Sequence, residues 1–165
     1  MRDPIVETRA WVEDFVVRLD LCPFAAGPLR AGRVRFVRCD AADASGVLDA
    51  LIEEAARLDG AGGPDTTLLV LPGGFSAFDD FLDLIDLSED LMHKAGYDGV
   101  LQLAAFHPAW VFADAPPDDP ANATNRAPWP TLHLLRWADV RRAVDHHPDT
   151  TAIPRRNADL LRALA

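Results

Sequence analysis

"GVLQLAAFHPAW" (Gly99–Trp110) and "PTLHLLR" (Pro130–Arg136) decide how this chain folds. Each contains an apolar run of strand length, and the residues between them are crowded with proline, aspartate and asparagine. That composition favours turns over regular structure. Two strands joined by irregular chain, with no crossover helix between them, are expected to pair antiparallel.

Towards the N-terminus the pattern changes. "VRFVRC" (Val34–Cys39) and "TTLLVLP" (Thr66–Pro72) read as strands on either side of a helix from Ser45 to Leu58, whose Val47, Leu48, Leu51, Ile52 and Ala55 share one face. A longer helix, Ser76 to Ala95, then leads back to the Gly99 strand, with Phe78, Phe81, Leu82 and Ile85 inward. Asp79, Asp80, Asp83, Asp86 and Glu89 form its acidic outer stripe. Helices are also expected from Glu7 to Leu21, where "CPFAAGP" ends the run, and from Ala138 to Val144 and Arg155 to Leu164. Strand–helix–strand units favour parallel neighbours with right-handed crossovers. The expected fold is a single α/β or α+β domain over residues 1–165, a small, mostly four-stranded sheet with helices packed on it.

Composition narrows the function classes. The chain has 165 residues, 49% hydrophobic and 25% charged, an ordinary globular balance. The formal net charge is -10, which argues against nucleic-acid or anionic-membrane partners. No apolar run approaches the ~20 residues of a membrane span. "MRDPIVETRAWVEDF" carries acids where a secretory leader would be basic and apolar, so the cytoplasm is the expected compartment. In that compartment Cys22 and Cys39 are expected to be thiols.

If the last two strands pair antiparallel, His107 closes one and His133 opens the other, so both imidazoles are expected at one end of the sheet. Long loops in compact domains are commonly functional. The 114–130 loop carries Asp118, Asp119, Asn122, Asn125, Arg126 and Trp129. The aspartates are candidate metal ligands, although Asp and Asn equally serve turn chemistry. Arg126, with Arg136, can grip a carboxylate or phosphate; Asn122, Asn125 and Trp129 complete the expected substrate contacts. Cys22, His107 and His133 make a His/His/Cys set suited to zinc, copper or iron. The same three residues are the expected catalytic group. Cys22 follows a helix C-terminus, which disfavours a free thiolate, whereas a coordinated thiol is deprotonated outright.

Other signals weigh less. "LPGGFSAFD" (Leu71–Asp79) has the outline of a phosphate cradle but lacks a lysine, and Ser76 with Asp79 reads as a capping box. "NAT" at Asn122 matches a glycosylation sequon, which carries meaning only with secretion. Arg33 and Arg35 share a strand face as an anion-binding pair or a solvent-facing decoration.

"LDLCPFA" from Leu19, "FLDLIDLSEDLM" from Phe81, "GVLQLAAFHPAWVFA" from Gly99, "APPDDPANATNRAPWPTLHLLR" from Ala115 and "AIPRRNADLL" from Ala152 together resemble a family of bacterial and plant proteins known as domain of unknown function 1415. Asp20 stands where the family would place asparagine, and Trp129 where tyrosine is common. The resemblance implies kinship over nearly the whole chain, with motifs that coincide with Cys22, His107, the Asp118–Arg126 segment and His133. It implies no reaction.

Three functions follow as expectations. The first is a cytoplasmic enzyme acting on a small polar or anionic metabolite, with His107 and His133 holding a divalent transition metal and Cys22 or an aspartate completing its sphere. The second is metal-free thiol chemistry, with Cys22 as nucleophile and a histidine as base. The third is a non-catalytic module that binds a small molecule or a protein.

Overall fold

Asp3 starts the first helix. Its side chain accepts the N–H of Ile5, and Pro4 occupies the first turn, where no N–H is required. This helix, α1 (Pro4–Trp11), begins earlier than its apolar periodicity suggests and then widens into a π-helical turn, Val12–Val17. Asp20, with φ 52°, ends the run. A short helix, α2 (Ala26–Arg30), follows where only a chain break was expected. The remaining elements are β1 (Val34–Arg38), α3 (Ala44–Asp59), β2 (Thr66–Val70), α4 (Phe78–Lys94), β3 (Leu101–Phe106), β4 (Thr131–Arg136), α5 (Trp137–Asp145) and α6 (Ile153–Leu164). The computed structural model describes residues 1–165. No helix in it is long and apolar enough to cross a membrane.

The strands form one mixed sheet in the order β1-β2-β4-β3, so the chain is a single α+β domain. β1 and β2 are parallel, joined through α3, while β4 runs antiparallel to both β2 and β3. The antiparallel pairing expected of the last two strands is therefore present. Phe106 lies opposite Thr131 and Ala104 opposite His133.

Strand alternation divides the sheet into two unlike faces. Leu69, Ala105, Leu132 and Leu134 point towards α3 and α4, where Leu51, Leu58, Phe81 and Leu84 close a fully buried core. Leu82, expected inward, is turned out at 39% exposure, and Leu84 takes the inward place. The opposite face carries the cross-strand row Phe36, Leu68, His133 and Ala104. There the Arg9 guanidinium of α1 lies 4.5 Å above the Phe36 ring, and the Trp11 indole meets Phe106 at 5.1 Å. The cover is incomplete: Gln102 is exposed and Val34, Ala104 and Leu135 are only half-buried.

The turn after β2 is held by close backbone packing. A Cβ on Gly73 would lie 2.2 Å from the Asp40 carbonyl oxygen, so only glycine fits. Phe75 beyond it adopts φ 62°, an unfavourable region for a bulky side chain. Ser76 does not cap α4; the N-cap is Ala77, without a side-chain hydrogen bond.

Candidate functional site

His107 stands one residue beyond β3, at the end where the long loop leaves, and its side chain is fully buried. Its ring packs between Phe78 and Phe81 of α4. The Phe75 carbonyl lies 2.9 Å from Nε2, and the Ala109 N–H lies 3.0 Å from Nδ1. A carbonyl only accepts and an amide only donates, so the ring is neutral, with its proton on Nε2 and both nitrogens engaged. Burial lowers its pKa, against a smaller opposing pull from the Phe75 and Ser76 backbone. His107 thus clamps the strained Phe75 turn to the root of the loop.

His133 lies elsewhere. It is the third residue of β4, opposite Leu68 on one side and Ala104 on the other. Because the register places it on the face of Ala104, it projects from the side of the sheet opposite to His107. The expected pair of imidazoles at one loop mouth is corrected: one lies beneath α4 and the other on the α1 face. The metal set of His107, His133 and Cys22 is not assembled, and no three of the chain's His, Cys, Asp and Glu side chains converge as metal ligands would.

The loop's polar side chains hold the loop itself. Asn122 is fully buried; its Oδ1 accepts the Phe112 N–H and its Nδ2 donates to the Pro116 carbonyl. That burial also removes it as a sequon. Asn125 donates to the Ala105 carbonyl, while its own carbonyl accepts the His107 N–H, so it pairs the outer edge of β3. Arg126 donates from Nε to the Trp110 carbonyl and from Nη2 to Pro117. Asp119 caps a 3-10 turn, Pro120–Asn125, within the stretch expected to be irregular. It also pairs with Arg162 of α6, which holds its carboxyl below the usual range. Asp118 is exposed. Trp129 donates from its indole to Glu7 of α1.

Arg136 ends β4 at the opposite end of the sheet, where Nε donates to the Leu58 carbonyl. It is not part of a loop site. The other proposed anion ligands are also engaged, Arg33 by Asp65 and Arg35 by the buried Glu54. Cys22 and Cys39 are free thiols. Burial raises the Cys22 pKa, and the charge of Asp20 adds to it, against the smaller pull of the Phe24 and Ala25 N–H groups.

What remains is the surroundings of His133. Thr66 Oγ1 donates to the Leu134 carbonyl at 2.7 Å, so its single proton is committed. His133 Nε2, 2.6 Å away, is therefore the donor to that hydroxyl oxygen. The ring is neutral, burial having lowered its pKa to about 4. Its Nδ1 is left as a lone-pair acceptor that makes no hydrogen bond within the protein. Ala104, with only a methyl group, lies directly across, and Phe106 flanks the ring at 5.9 Å.

A family model described as protein of unknown function (DUF1415) matches residues 3–165. The chain belongs to this family. No curated protein and no solved structure matches it. The DUF1415 membership agrees with the resemblance carried by the "CPFA", "FHP" and "LHLLR" segments, and it brings no reaction with it.

Residue-type reasoning passed over Thr66 and Gln102, the side chains nearest in role to His133. A signal exists for Gln102, the one polar residue of β3; Thr66 shares β2 with a second threonine, Thr67, and carries no such mark.

Proposed function

We propose that this DUF1415 protein is a small-molecule-binding module whose ligand sits on the half-covered sheet face against His133. The observation that carries this reading is the His133 imidazole, fixed by Thr66 as a neutral tautomer with Nδ1 unengaged on a face left partly open. A polar atom so placed is suited to accept a hydrogen bond from a ligand. The neighbouring π-helical turn adds support, since such turns recur at functional sites and this one adjoins Trp11, which packs on Phe106.

The pKa favours binding over proton transfer. A general base works best with a pKa near the operating pH, and about 4 is too low to draw a proton from most substrates at neutrality. The two enzyme readings have less support. A metal would need ligands that the fold distributes over two faces of the sheet, and a thiolate nucleophile would need a lowered pKa where burial raises that of Cys22.

Long-range proton–nitrogen NMR on imidazole-labelled protein tests the proposal. His133 is expected to show an unprotonated Nδ1 at pH 7, and a fragment library is expected to give binders that move this resonance in the wild type but do not bind His133→Phe. A protonated Nδ1, or one that no fragment moves, would overturn it.

A further inference from the structure

We infer that Gln102 is the specificity-determining partner of His133, and that together they select a small neutral amide with a second N–H to give: a primary carboxamide or a urea. This rests on the small-molecule reading above. β3 places Gln102 two residues before Ala104, and Ala104 lies directly opposite His133. Gln102 and His133 therefore share a face as diagonal cross-strand neighbours, at roughly 7–8 Å, within reach of long side chains and of one small ligand between them. The side chain directly opposite the imidazole is only a methyl group, which leaves the intervening surface low.

Gln102 is exposed, and its carboxamide makes no hydrogen bond within the protein. It presents an N–H donor and a carbonyl acceptor in one plane. The complement of that edge is another N–H and carbonyl side by side. His133 Nδ1 adds a demand for a further N–H, because it can only accept. Phe106, beside the imidazole, offers an apolar wall for a flat ligand. No charged side chain belongs to the group: Thr66, His133, Ala104, Gln102 and Phe106 are all neutral, and Arg9, the nearby cation on this face, is seated over Phe36. An anionic metabolite would find no counter-charge among these residues. The expected ligand is accordingly neutral rather than anionic.

Three probes separate the possibilities by NMR titration: benzamide, N,N-dimethylbenzamide, which lacks the N–H groups, and indole, which offers one N–H and no carbonyl. Benzamide is expected to move both the His133 Nδ1 and the Gln102 side-chain resonances, indole only the former, and the dimethyl compound neither. In Gln102→Leu, benzamide should weaken roughly tenfold, about the worth of one hydrogen bond to a well-placed partner, while indole binds as before. Gln102→Glu, which keeps an acceptor and loses the donor, should also weaken benzamide. Equal binding of benzamide and indole, unchanged in both variants, would overturn the role of Gln102 and leave the His133 site standing. If none of the probes moves His133 Nδ1, the inference falls together with the reading beneath it.

Discussion

His107 and His133 are both neutral imidazoles in one small sheet, yet substitution should affect them in opposite ways. His107 has both nitrogens engaged and a ring enclosed by two phenylalanines, so its removal opens a cavity and strands the Phe75 carbonyl and the Ala109 N–H. His107→Ala is expected to lose about 3–4 kcal/mol of unfolding free energy in urea titrations. Fragments that contact His133 should still bind the folded fraction. A loss of only a few tenths would show that the clamp does not bear on stability. Thr67 presents the reverse case. It is fully buried in β2, and its hydroxyl finds no partner. Replacing that hydroxyl with a methyl of similar shape removes an unmet polar group, so Thr67→Val should raise stability by about 1 kcal/mol. A decrease in the same urea titration would point to an interaction that the hydroxyl makes and valine cannot.

Elements were more legible than the relations between them. Apolar runs for three strands, and alternating apolar and basic residues for β1, mark all four to within a residue or two, because strand length and pattern leave a strong local signature. The π-helical turn at Val12–Val17 leaves none, since its apolar spacing is also that of an α-helix. That the two histidines take opposite faces is not written locally, for a definite reason. With Ala104 opposite His133, His107 and His133 occupy opposite faces; a register slipped by one residue would have placed them on the same face. A tight hairpin would have fixed that register through its turn type, but the long loop here fixes nothing locally. The β2–α4 turn shows what local sequence does encode. Its two glycines resemble a phosphate cradle, yet they serve a backbone contact: Gly73 would meet the Asp40 carbonyl oxygen at 2.2 Å if it carried a Cβ. Backbone cannot yield as a flexible side chain can, so Gly73→Ala should cost about 3 kcal/mol, visible as a lower urea midpoint at an unchanged slope. An unaltered midpoint would mean that the Asp40 segment moves freely and that the glycine is there for another purpose.

At the scale of the molecule, the two histidines define an acid limb of stability. Burial lowers the pKa of both in the folded state, that of His133 from 6.5 to about 4. A base whose folded pKa is depressed binds fewer protons folded than unfolded between those two values, so stability rises with pH there. The contribution is complete above pH 6.5, declines as pH falls towards 4, and is gone below the folded pKa. For His133 the span corresponds to roughly 3 kcal/mol. The acids act in a different window. Arg162 holds the Asp119 carboxyl below its ordinary 3.8, and Thr151 does the same for Asp149, so their stabilisation persists until the pH falls below that value. The net charge of -10 opposes the histidine trend, because protonating carboxylates relieves self-repulsion, but that relief also comes mainly near and below pH 4. Between pH 6.5 and about 4.5 the histidines should therefore dominate. Urea titrations across this range are expected to show a steady fall in the wild type and a shallower one in His133→Phe, with the remaining slope due to His107. Equal slopes in the two proteins would mean that His133 already titrates as an exposed imidazole, which would remove the neutral Nδ1 acceptor on which the proposed ligand site depends.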